Sequence, residues 1–121
     1  MKIGIDLDDT ITAMPEFFAI ITKALIQKHQ IYIITYRDGR EATIIDLNDY
    51  NISYTELIMP NDNDETPQAF KSRVATELGI DLMIDDSPEN LSEMPPGVKR
   101  MWMCDDDVFD LKKCIRALKE K

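Results

Sequence analysis

The chain has 121 residues, 44% apolar and 31% charged, a balance that fits one compact globular domain over residues 1–121. Fourteen Lys and Arg against 23 Asp and Glu leave a formal net charge of −9, which disfavours nucleic acid or an anionic membrane as a partner held by bulk electrostatics. Cys104 and Cys114 lack metal-site spacing and read as reduced residues, and without a signal pattern or a span-length apolar stretch the expected location is cytoplasmic, off the membrane.

The opening MKIGIDLDDT organises the rest of the chain. Ile3, Ile5 and Leu7 alternate with Gly4, Asp6 and Asp8, the period of a strand. At its end Asp6, Asp8 and Asp9 crowd together, and such acids repel unless a cation or a hydrogen-bond network relieves them. A hard divalent ion such as Mg2+ takes oxygen ligands of this kind. Thr10 is placed either to brace the turn or to touch the chemistry.

Met14 to His29 reads as a helix with Met14, Phe17, Phe18, Ile21, Ala24 and Leu25 on its packing face, Pro15 in its first turn and His29 at its dipole end. Ile31 to Tyr36 is a buried strand, followed by Arg37 and Asp38. A second helix is expected from about Gly39 to Tyr50 with Asp38 as N-cap, then a short strand from Glu56 to Met59. Asp62, Asp64 and Glu65 read as a solvated acidic loop. Thr66 to Leu78 is helical, with Thr66 as cap, Pro67 in first position and Gly79 as the stop. Asp81 to Ile84 is the fourth strand, running into Asp85, Asp86, Ser87 and Pro88, with a helical turn at Glu89 to Met94. Val98 to Cys104 is the fifth strand, with Trp102 expected in the core. The acid run Asp105 to Asp107 opens a closing helix from Asp107 to Lys119.

Strand and helix alternate throughout, which predicts an α/β fold: a three-layer α/β/α, Rossmann-like domain around a five-stranded, mostly parallel sheet. Ligands of such sheets sit outside the carboxyl ends of the strands, where Asp6, Asp8, Thr10, Thr35, Asp85 and Asp86 would share one rim. Lys71 can reach that rim from its helix, with Arg73 as a rival. A carboxylate can attack phosphorus, a second acid can move the proton, a hydroxyl and a lysine can neutralise developing charge, and further acids can hold an ion. From residue types alone, Asp6 and Asp8 can divide the first two roles either way. Tyr36 and Arg37 are candidates to touch a substrate's leaving group.

DLDDT at Asp6 to Thr10, Thr35 at a strand end in IITYRD, Lys71, and the acid pair in IDDSPEN resemble, in order and placement, the four motifs of the haloacid dehalogenase-type phosphatase superfamily. The wording of ITYRD and IDDSPEN is most similar to its small deoxyribonucleotidase-like branch. The resemblance implies a Mg2+-dependent phosphomonoester hydrolase acting through an aspartyl-phosphate. Asp6 would be nucleophile and Asp8 general acid/base, Thr35 and Lys71 would bind the phosphoryl group, and Thr10, Tyr36 and Arg37 would lie toward the substrate. Mg2+ would be held by Asp6, the Asp8 backbone carbonyl and the Asp85–Asp86 pair, with Asp86 the favoured direct ligand and Asn90 in a place often held by a second acid.

Relatives of this type often insert a cap domain, but between Thr10 and Thr35 there is room for one helix only, so the chain is expected to be capless. A neighbouring subunit in a homo-oligomer, or a large phosphorylated substrate, would then supply the lid. Two competing possibilities are a catalytically silent scaffold of the same shape and a phospho-accepting signalling module. The latter would need an acceptor acid at a middle strand, where this chain has Met59 and Pro60.

Overall fold

Strands buried on both faces need apolar side chains pointing both ways, and β-branched runs supply them. The computed structural model describes residues 1–61 and 65–104. In it β1 (Lys2–Ile5), β2 (Gln30–Ile34), β3 (Glu56–Ile58), β4 (Leu82–Asp85) and β5 (Lys99–Trp102) form a five-stranded sheet in the order β3-β2-β1-β4-β5. Every pairing is parallel, so the fold is α/β and Rossmann-like as expected. Asp62, Asp64, the acid run Asp105 to Asp107, Cys114 and the closing helix Asp107 to Lys119 lie outside the described residues.

The two sheet faces bury two cores. Ile3, Ile5, Ile31, Ile33, Leu57 and Ile84 meet Phe18 of α1 (Pro15–Leu25) and Leu47 of α2 (Arg40–Asp49). Tyr32, Ile34 and Met83 meet Phe70, Val74 and Ala75 of α3 (Pro67–Leu78) and Leu91 of α4 (Pro88–Ser92) on the other side. One-residue alternation along β2 thus sends neighbours to opposite cores. Between β1 and β2 the chain makes only a turn and α1, with no cap inserted there.

The order of the strands matters for function. From β1 the chain steps outward through β2 to β3, then returns by α3 to β4 on the other side of β1. That reversal opens a crevice at the carboxyl ends of β1 and β4, the place where open parallel sheets take ligands.

Local signals set most boundaries. Thr66 Oγ1 accepts the Ala69 N–H at 3.1 Å, Pro67 opens α3, and Gly79 stops it at a φ of 68°. Other expectations are corrected. Gly39 rather than Asp38 occupies the N-cap of α2, at a φ of 82° that suits glycine, and no side chain caps that end. α1 stops at Leu25, because the amides of Lys28 and His29 both turn back to the Leu25 carbonyl. His29 therefore serves no helix end, and its Nδ1 lies 3.2 Å from the N-terminal amine of Met1. Met14 and Phe17 are exposed, since α1 turns Phe18 and Thr22 to the sheet instead. Trp102 is also exposed, on an edge strand whose four residues all are, and its indole donates to the Asp86 carbonyl at 2.9 Å.

Gly4 sits where β1 is pressed hardest. A Cβ there would come within 2.7 Å of Met83 Sδ and 3.0 Å of Ile34 Cδ1. Gly4→Val is expected to cost about 1–3 kcal/mol through overpacking, read as a lower urea midpoint with an unchanged slope.

Candidate active site at the carboxyl ends of β1 and β4

Asp6 is held by backbone before its side chain does anything. Its N–H donates to the Ile84 carbonyl at 2.9 Å, which carries the β1–β4 pairing one residue past the strand. The chain then stays extended at Asp8 and turns left-handed at Asp9, with φ 62° and ψ 5°, a conformation that aspartate tolerates better than most residues. The Asp9 N–H donates to Thr12 Oγ1 at 2.8 Å and steadies the turn. Thr10 is thereby folded back over Asp6: its hydroxyl lies 2.9 Å from Asp6 Oδ2 and 3.3 Å from Asp86 Oδ1. One proton serves both, directed mainly at Asp6.

From the other side of the crevice β4 delivers Asp85 as its last residue and Asp86 just beyond. Ser87 caps α4 by accepting the Asn90 N–H at 3.2 Å, and that short helix brings Asn90 Nδ2 to 3.2 Å from Asp85 Oδ2. Lys71, buried on the sheet side of α3, reaches across with Nζ 2.6 Å from Asp6 Oδ1 and 2.8 Å from Asp85 Oδ2. Arg73, by contrast, faces outward and pairs with Glu65 and Glu77. Lys71, not Arg73, is therefore the cation that faces Asp6 and Asp85.

Charge is out of balance here. Asp6, Asp85 and Asp86 bring carboxylate oxygens within 4.8 Å of one another, against one ammonium. Burial pushes the Asp6 carboxyl up to about 7, with Lys71 pulling it down and Asp85 pushing it further up. Asp86 is raised too, by burial first and by Asp85, against a hydrogen bond with Asp6. Burial works against the charge on Lys71, but Asp6 and Asp85 outweigh it and raise its pKa.

The acids are not equivalent. Asp85 is fully buried with both oxygens engaged: Oδ1 by the Ser87 N–H at 2.9 Å, Oδ2 by Lys71 and Asn90. It anchors the lysine. Asp6 and Asp86 hold the more open side, and this all-oxygen group of three acids could hold a metal ion of the hard type.

Asp8 stands apart from that group. Its carboxylate is turned to Arg37, which forks onto Oδ1 at 3.0 Å and Oδ2 at 3.2 Å. Arg37 is held in turn by Asp46 on α2 at 2.9 Å. Asp46 carries no signal in the sequence, because its contact depends on how α2 is rotated, which no local pattern records. Tyr36 is exposed and its hydroxyl donates to the Glu65 carbonyl at 2.6 Å. Thr35 is fully buried at the carboxyl end of β2, and its amide donates to the Ile58 carbonyl at 3.1 Å. Among the described residues its hydroxyl and Asn90 Oδ1 have no hydrogen-bond partner. Buried polar atoms in that condition cost stability unless something else meets them.

This charge arrangement has two measurable outcomes. Replacing Lys71 by Met strands two buried carboxylates, and a loss of about 3–5 kcal/mol is expected in chemical denaturation at neutral pH, shrinking as pH falls and the acids take up protons. In metal-free protein the Asp6 carboxyl binds its proton more tightly folded than unfolded. Its contribution to stability is therefore full at low pH and lost as pH rises through about 7. The melting temperature in chelator should fall between about pH 4 and pH 7, less so in Asp6→Asn, and a bound divalent cation should cancel the fall.

No family model and no curated protein matches the chain. Among solved structures it is similar to a chain of the Pnkp1/Rnl/Hen1 RNA repair complex, with a TM-score of 0.70 at 18% identity. The match covers 85% of this chain and 42% of that one, so this chain spans less than half the length of its structural neighbour. What the two share is the fold.

Proposed function

We propose that the chain is a Mg2+-dependent phosphomonoester hydrolase of the haloacid dehalogenase type, working through an aspartyl-phosphate. The observation that carries this is the meeting of Asp6, Lys71, Asp85 and Asp86 at the crevice between β1 and β4. Asp6, Asp86 and the Asp8 backbone carbonyl would hold the ion, with Asp85 behind them. Bound there, Mg2+ supplies positive charge that lets an anionic carboxylate approach an anionic phosphoryl group.

The residues then divide the work. An Asp6 carboxylate oxygen attacks phosphorus while the bond to the leaving oxygen breaks, and that oxygen takes its electron pair and a proton from Asp8. Water next attacks the aspartyl-phosphate and gives its proton to Asp8, and the Asp6–phosphorus link breaks to release phosphate and restore the carboxylate. Lys71 keeps Asp6 in position through its 2.6 Å contact and offers charge to the phosphoryl oxygens. The buried, unpartnered hydroxyl of Thr35 is the donor on the β2 side.

The net charge of −9 opposes a polyanion more than a small phosphorylated metabolite, nucleotides included, whose charge a local cation can offset. The neighbour's membership of an RNA repair complex makes a polynucleotide end the alternative to assay. A second subunit or a bulky substrate would close the uncapped site.

Release of p-nitrophenol from p-nitrophenyl phosphate, with Mg2+ and with chelator, tests the assignment. Turnover is expected only with the cation, and Asp6→Asn should lower it at least about a thousandfold while the circular dichroism stays native. An Asp6→Asn protein that still hydrolyses the ester would sink it. A wild type inert with Mg2+ on a broad panel of phosphomonoesters would instead favour a non-catalytic binding role.

A further inference from the structure

Arg37 stands two residues beyond Thr35 at the carboxyl end of β2. One edge of its guanidinium is tethered to α2: Nη1 lies 2.9 Å from Asp46 Oδ2 and 3.5 Å from Thr43 Oγ1. The other edge, Nε and Nη2, grips both oxygens of Asp8. Both ion pairs are partly open to water, with the Asp8 side chain 51% and the Asp46 side chain 43% exposed, and such pairs contribute little and exchange readily. The α2 edge has the buried Thr43 as a second contact, whereas the other edge meets Asp8 alone.

The same guanidinium lines two cavities of about 210 and 270 Å3, both also lined by Asp38, Pro60 and Asn61, the larger by Arg40 as well. A carboxylate and a phosphate compete for one fork, because both present two oxygens at the spacing of its N–H groups. In the proposed chemistry Asp8 must pass a proton to the leaving oxygen, yet both its oxygens are turned to Arg37.

We infer that Arg37 selects substrates whose leaving group carries a second phosphate, which takes the fork from Asp8 and frees that acid for the leaving oxygen. The inference rests on the hydrolase assignment above and narrows its substrate class to small bisphosphorylated molecules. A monophosphate with an uncharged leaving group has to break the fork and offers nothing in exchange. Binding and release of the acid are thus coupled through one side chain.

The test compares short α,ω-alkanediol bisphosphates with the matching monoalkyl phosphates, by phosphate release in Mg2+. At least one bisphosphate should be preferred in kcat/KM by about 10–100-fold, the worth of a charge-assisted hydrogen-bonded contact. Arg37→Met should erase that preference, lowering the bisphosphate rate far more than the monophosphate rate, and Arg37→Lys should restore part of it. Equal wild-type rates for both classes at every chain length would overturn the inference. So would an Arg37→Met protein in which both classes fall by the same factor, since Arg37 would then only orient Asp8. If no probe is hydrolysed, the hydrolase assignment is judged separately, by p-nitrophenyl phosphate and the phosphomonoester panel. Selectivity is then read by calorimetry with the same probes: tighter bisphosphate binding that depends on Arg37 upholds the inference, and equal affinities refute it.

Discussion

A single buried ammonium holds the two halves of the crevice together. Lys71 comes from α3, Asp6 from β1 and Asp85 from β4, and their contacts of 2.6 and 2.8 Å join three elements distant in the chain. A lysine this buried keeps its charge only because two carboxylates face it. Those carboxylates in turn tolerate burial because the lysine is there. The arrangement is also incomplete, since Asp86 adds a third acid to one cation. The strain appears as an Asp6 carboxyl pushed up to about 7 by burial and its acidic neighbour. Such a group is stable enough to persist and unsatisfied enough to attract a further positive charge.

Around this pair the site has an inner and an outer station. The inner one, Asp6 with Lys71 and Asp85, is buried and fixed by backbone on both strands. The outer one, Asp8 with Arg37, is open to water and hangs from a turn and a loop. This division suits the two-step hydrolysis proposed above, in which the nucleophile must not wander and the proton carrier must move. Only Leu7 separates Asp6 from Asp8, but the left-handed backbone at Asp9 reverses the chain just after them. Thr10 therefore returns to the inner station while Asp8 remains at the outer one.

Most of the architecture is legible in the amino-acid order. The alternation of Ile3, Ile5 and Leu7 with Gly4, Asp6 and Asp8, and the unbroken run at Ile31 to Ile34, identify strands because side-chain direction repeats every two residues. Thr66, Pro67 and Gly79 mark the ends of α3 because capping and left-handed geometry are local properties of those residues. The residues placed wrongly by type are apolar, but exposure depends on which neighbour covers a residue: α1 is rotated so that Phe18 and Thr22, not Met14 and Phe17, face the sheet, and Trp102 stands on the exposed strand β5.

Taken alone, the chain's own residues determined the alternation of strands and helices and the carboxylates, threonines and lysine that such chemistry needs, since periodicity and caps act over a few residues. Only the tertiary structure decided that β4 lies against β1, that Lys71 and not Arg73 turns inward, and that Asp8 faces Arg37 rather than the acid cluster. Those outcomes depend on strand order and on the rotation of packed helices. Both are set by burying two cores at once, so contacts across long stretches of chain select them and no short window contains the information.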